Sequence, residues 1–213
     1  MTAADGPVPR HVALGGVVGP AAFLAAWTIG AIADDRHLSI VDDAISQLAH
    51  VGSNTRWLMT TGLVGFTVGV GLLAVAVRAL LGAATSALLA ATAASTLAVA
   101  VLPLGQSNDV DRAHGIAAGL GYITLIGVPL VAHGALVRLG APRVASSGRL
   151  AAAVASCSLA ASLTVGPTGV FQRLGLTAVD AWIVAVALLA SSSRRPDETP
   201  AIMEMVPEPT IRR

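Results

Sequence analysis

The chain has no lysine, a single cysteine and little charge of either sign. Only 12% of its 213 residues are charged, about half of the roughly 25% that a soluble domain carries. That is too little to solvate the surface of a water-soluble fold. Meanwhile 54% of the residues are hydrophobic, and the mean hydropathy is +0.75. The balance points to a protein surrounded by lipid. All thirteen basic residues are arginine, which beside so much alanine reflects a GC-rich genome rather than a functional choice. A formal net charge of +1 without a basic stripe gives no hint of a nucleic-acid partner, and none is expected. The lone Cys157 excludes a disulfide framework within the chain. Because it lies in an apolar run, it is expected to be a buried, unreactive thiol.

What the chain has is six apolar runs: His11–Ala33, Trp57–Val77, Ser86–Leu104, His114–Val137, Leu150–Gly166 and Leu174–Ala190. Each is close to the roughly 17 to 25 residues that a helix needs to cross the hydrocarbon. The last two are near the short limit and are expected to recruit flanking residues. Backbone polar groups in lipid must pair within the segment, so the runs are read as helices. Strand alternation, the mark of a barrel, is absent. The fold class is therefore all-α, a polytopic membrane protein built as a six-transmembrane-helix bundle. It divides into a cytoplasmic N-terminal segment (1–10), the transmembrane domain (11–191) and a disordered cytoplasmic tail (192–213). The tail, "RRPDETPAIMEMVPEPTIRR", has four prolines and mixed charge.

The "AIADD" ending of the first run imitates a signal-peptidase site, but the run exceeds the about 7–15 residues of a cleaved signal. A retained first helix is expected. With the N-terminus inside, Arg10, Arg78, Arg138, Arg143, Arg149, Arg194 and Arg195 fall on the inner side. Arg36, Arg56, Arg112 and Arg173 fall outside. The bias favours cytoplasmic termini. Gly15/Gly19, Gly65/Gly69 and Gly115/Gly119 are G-x-x-x-G pairs suited to helix packing within the bundle. Pro20 and Pro129 are expected to kink their helices.

The polar residues between the first two runs are grouped. Wound as a helix, Ser39–Val51 places Ser39, Asp42, Asp43, Ser46, Gln47 and His50 within an arc of roughly 140°, with apolar residues on the remainder. A short amphipathic helix is therefore expected in the first outer loop. Asp43, Gln47 and His50 could turn toward other polar groups at the outer mouth. Asp109, Asp111 and Arg112 precede His114 in "GQSNDVDRAHG", and Asp180 lies six residues into the last run. Asp180 is the most informative of these. A carboxylate within the bilayer is costly unless neutral, hydrated or paired, so it marks a functional position by default. His114, Arg112 and Arg173 are its candidate partners. His133 is expected to be a packed, hydrogen-bonded histidine.

In the stretch "SIVDDAISQLAHVGSNTRWLMTTGLVGFTVGV" the chain resembles a bacterial membrane family catalogued as domain of unknown function 998. The resemblance rests on an "IS-x-L" element (Ile45, Ser46, Leu48), a Gly-rich second helix, and an acid before a histidine that opens the fourth helix. Here that acid is Asp109 or Asp111 and the histidine is His114. The likeness covers about residues 11 to 190, leaves the tail out, and departs at "LPLGQSNDVD", where an acid would stand closer to the proline. It implies six helices in the plasma (inner) membrane of a bacterium and no established chemistry.

Several functions suit these residues. The first is binding of membrane lipid, a membrane-protein partner or a second copy of the chain through the outer polar cluster. The second is a membrane-embedded enzyme acting on a lipid, with His50, Asp111 and His114 as weak metal candidates. No HExxH or closely spaced histidine pair accompanies it. The third is transport or proton movement through Asp180 and His114, although no internal repeat doubles the helices. Haem would need His114 and His133, about 28 Å apart on one helix, each paired with another histidine such as His50 or His11. The sequence leaves any cofactor unknown. If the outer residues act together, Asp43, His50, Asp111, His114 and Asp180 should converge.

Overall fold

The computed structural model describes residues 10–192, and each of the six apolar runs is a helix long enough to cross a membrane. The first span, Arg10–Ala33, comprises α1 (Arg10–Ala13) and α2 (Gly15–Ala33). Then follow α3 (Arg56–Leu81), α4 (Ala83–Val101), α5 (Asn108–Arg138), α6 (Pro142–Thr164) and α7 (Thr168–Ser192). No strand occurs among the described residues, so the chain is an all-α protein with six membrane-spanning helices. Residues 1–9 and 193–213, and with them most of the expected terminal segments, lie outside the described residues.

Several helices begin before their apolar stretches, because capping rather than hydropathy sets a helix end. The Ser107 hydroxyl accepts from the Val110 N–H at 3.3 Å, and Asp109 and Asp111 occupy the first turn of α5, where the helix dipole favours acids. Pro142 opens α6, its fixed φ suiting a first turn. The two last spans thereby reach 23 and 25 residues, the expected recruitment of flanking sequence. This early start has a consequence for function. His114, expected to open its helix, sits six residues inside α5, and Asp180 sits twelve residues inside α7.

Helices adjacent in sequence pack as neighbours, and α7 closes back onto α2, so the six spans form a ring. Contacts across the ring, among α3, α5 and α7, are sparse. The half of the ring distant from residues 34–55 is filled by aliphatic side chains: Val70, Leu73, Val77, Val128, Leu136, Ile183 and Ala187 are fully buried. Lipid tails are as apolar as these residues, so close packing rather than transfer from water holds this half together. The tightest seam joins α2 and α3 through glycines. A Cβ on Gly15 would stand 2.7 Å from the Gly69 carbonyl oxygen, and one on Gly19 would stand 3.1 Å from the Gly69 Cα. Two of the three expected glycine pairs thus serve packing inside the bundle. The third does not: a Cβ on Gly115 or Gly119 would meet nothing within 4 Å.

Two further expectations need correction. Cys157 is exposed on α6, not buried. In a membrane bundle an apolar run has a lipid-facing side as well as a core side, so hydropathy alone does not place a residue inside. The amphipathic helix expected over Ser39–Val51 is reduced to a five-residue 3-10 helix, Ile45–Ala49. Upstream of it, the Asp43 carboxylate accepts from the Ser39 N–H at 2.7 Å and the Ser39 hydroxyl donates to Asp42 at 2.8 Å. These local bonds satisfy the backbone without a helix, and Ala44 is extended (φ −60°, ψ 145°). The short helix still buries one apolar side, through Ile45, Leu48 and Ala49.

Candidate functional site

The half of the ring nearer residues 34–55 is not filled. A cavity of about 110 Å³ lies among α2, α3, α4, α5 and α7, with the Ile45–Ala49 turn over it. Phe23, Met59, Leu63, Phe66, Val99, Leu125 and Leu176 give it mostly apolar walls. Into this lining the helices also set His114, Tyr122 and Asp180, all three buried. Each keeps a buried polar atom without a hydrogen-bond partner: His114 Nε2, the Tyr122 hydroxyl and Asp180 Oδ1. Buried polar atoms are nearly always paired, and an unpaired one costs about 1–3 kcal/mol. Three on one cavity form a cluster.

The chemistry of each group follows from its other contacts. His114 Nδ1 lies 2.7 Å from the Leu102 carbonyl oxygen, just beyond the C-terminus of α4. A carbonyl only accepts, so Nδ1 carries the hydrogen and a neutral ring presents a lone pair at Nε2. Asp180 lies near the middle of α7, about 18 Å along the axis from its start, and is only 8% exposed. Thr92 and Thr96 also line the cavity, and their hydroxyls donate to the carbonyls of Leu88 and Thr92 on their own helix.

The segment from Asp34 to Thr55 is fastened over this end of the ring. Asp34, capping α2, accepts from the Arg36 guanidinium at 2.9 and 3.0 Å and from the backbone N–H groups of Arg36 and Leu38. Burial works against its charge, but these bonds outweigh it and hold the carboxyl below its usual value. On the α7 side, Arg173 Nη1 donates to the carbonyls of Ile40 and Asp43 at 2.9 and 3.0 Å, with its guanidinium 5.5 Å from the Trp27 ring centre. The Gln172 side-chain oxygen accepts from the Ile45 N–H at 3.1 Å. On the α4–α5 side, the Val51 N–H donates to the Leu104 carbonyl at 2.9 Å. There the His50 ring packs so closely on Gly105 (φ +80°) that any Cβ at 105 would collide with it.

The expected outer cluster therefore separates into groups. His114 and Asp180 share the cavity. Asp43 belongs to the junction with α7, and the main-chain carbonyl of Gln47 accepts from Arg36 at 2.7 Å. His50 and Asp111 both attend Gly105, the latter by accepting its N–H at 2.8 Å. Asp109 and Arg112 are exposed on the first turns of α5. Neither Arg112 nor Arg173 forms an ion pair with Asp180. No three His, Cys, Asp or Glu side chains among the described residues are gathered to hold a metal ion, so His50, Asp111 and His114 do not make one site. His133 Nδ1 is bonded to the Ala145 carbonyl at 3.1 Å.

Sequence reasoning passed over Tyr122, the only tyrosine. Its signal was available: it lies eight residues, about two helical turns, after His114 on one helix. No curated protein and no solved structure matches the chain. The family described as "Protein of unknown function (DUF998)" matches residues 17–189, and the chain belongs to that family.

Proposed function

We propose that this membrane protein binds a small amphipathic molecule, drawn from the surrounding lipid phase, in the cavity among α2–α5 and α7. The observation that carries this reading is the convergence of three unpartnered polar atoms, on His114, Tyr122 and Asp180, on one largely apolar cavity. Ligand sites combine mostly apolar walls with a few convergent polar groups in this way. The apolar body of the ligand would lie against Phe23, Leu63 and Phe66, and its polar end against the three groups. We further propose that the end carrying residues 34–55 faces away from the cytoplasm in a bacterial inner membrane, a reading supported by the arginine bias.

The test is native mass spectrometry of the protein released from lipid nanodiscs, beside an Ala118→Phe variant that fills the cavity from α5. The expected result is a retained non-protein mass on the wild type that the variant lacks. A folded wild type free of retained mass, or equal retention by both proteins, would overturn the reading in favour of a water-filled cavity.

A further inference from the structure

Resting on that reading of the cavity, we infer that the polar end of the ligand is a protonated amine, held by Asp180, His114 and Tyr122. The two groups whose role is fixed by the structure are both acceptors. His114 has its hydrogen at Nδ1, bonded to the Leu102 carbonyl, so Nε2 offers a lone pair. Asp180 Oδ1 is a buried carboxyl oxygen with no hydrogen-bond partner. The Thr96 hydroxyl hydrogen is engaged by the Thr92 carbonyl, leaving its oxygen as an acceptor too, while the Thr92 hydroxyl is bonded to both the Leu88 carbonyl and the Thr124 hydroxyl. An ammonium group supplies three donors to these acceptors, and the unpartnered Tyr122 hydroxyl, which can donate or accept, can take one of them as well.

Charge selects in the same direction. A phosphate or carboxylate head would need Arg beside it, and no arginine lines the cavity. The nearest on the same helix, Arg173, is turned away to the Ile40 and Asp43 carbonyls. An anionic head would instead face Asp180. The apolar wall also favours a cation. Phe23 and Phe66 line the cavity as an edge-to-face pair with ring centres 5.6 Å apart, and Tyr122 adds a third ring. Aromatic faces attract cations, most strongly where water is excluded. Donors also line the cavity, in the Tyr122, Ser46 and Ser95 hydroxyls and in Gln172. The Gln172 oxygen is taken by the Ile45 N–H, which leaves its amide hydrogens as donors under the loop, away from the charge-bearing end.

Three probes of one length separate the possibilities: n-octylamine, n-octanol and n-octanoate, titrated calorimetrically at pH 7 into nanodisc-embedded protein with empty nanodiscs subtracted. The wild type should bind octylamine about tenfold more tightly than either other probe. Asp180→Asn should bring the three within about twofold, and Ala118→Phe should abolish all three. Octanol or octanoate binding as well as octylamine would overturn the amine inference while leaving the cavity reading intact. Binding of none by the wild type, or undiminished binding by Ala118→Phe, would overturn both. The wild-type ranking alone decides the head group, whether or not Asp180→Asn folds.

Discussion

Asp180 and Asp34 are both buried carboxyls, and they do opposite things. Asp34 is surrounded by donors from Arg36 and Leu38, so its charge organises the start of the first loop. Asp180 has an oxygen with no partner, so it contributes nothing to stability and detracts from it. Replacing an unsatisfied polar group by an apolar one is neutral or stabilising, whereas removing one member of a satisfied pair is not. Asp180→Leu, with the adjoining cavity to take the extra volume, should therefore leave thermal stability in detergent unchanged or raise it by about 1–3 kcal/mol. A loss of that size would show that Asp180 has a structural partner. Asp34→Asn should lower hydrogen-exchange protection across residues 34–55 and leave the spans untouched. The pH dependence has a definite sign. The Asp34 carboxyl is held below its ordinary value of 3.8, so its stabilisation is complete above that value. It is lost only as pH falls through the lowered one. Loop protection in the wild type should accordingly persist down to pH 3.8 and decline below it.

At the scale of elements, the loop over the cavity is held chiefly by backbone carbonyls seated on α7. A Cβ on Gly169 would stand 2.5 Å from the Asp43 oxygen and 2.6 Å from the Ile40 oxygen, the same two carbonyls that Arg173 binds. Gly169→Ala should lift this segment. Faster exchange at residues 38–45, including Ile45 with its bond to Gln172, should appear with little change in the melting of the bundle. If instead the loop stays protected and the bundle melts early, α7 has moved and the loop has not. The spans themselves were legible in the sequence, because lipid leaves a long apolar run no alternative to a helix. The loop was not. Periodicity over Ser39–Val51 suggested one continuous helix, but Ser39, Asp42 and Asp43 bond to one another and to their own backbone. A hydropathy pattern carries no record of that competition. Helix starts were equally hidden. The Ser107 cap of α5 and the start of α7 at Thr168 place His114 and Asp180 deeper than the apolar runs implied, and both line one cavity. Tyr122 completes the cavity only because the ring closes, which no local pattern states.

The molecule as a whole is a ring packed solid in one half and hollow in the other, and its polar atoms follow that division. Which half faces which side of the membrane decides where a ligand or its partner could come from. At the filled end, Arg78 and Arg138 occupy the last turns of α3 and α5, with Arg143 at the start of α6. At the hollow end, Arg36 and Arg173 are engaged, by Asp34 and by loop carbonyls respectively. Arg56 lies 5.1 Å from the ring centre of the exposed Trp57, an arrangement typical of a membrane–water boundary. Arg112 is exposed on the first turns of α5 at the same end, and the proposed orientation, with the filled end toward the cytoplasm, rests on the positive-inside tendency. The single native cysteine makes the orientation simple to check. In a Cys157→Ser background, Asp42→Cys places a thiol on the exposed first loop, and Ser146→Cys places one near the start of α6. A membrane-impermeant maleimide applied to intact cells should label the cysteine at 42 and spare the one at 146 until the membrane is opened. The reverse pattern would turn the cavity toward the cytoplasm and make a cytosolic amine, rather than one from the outer side, the molecule to look for.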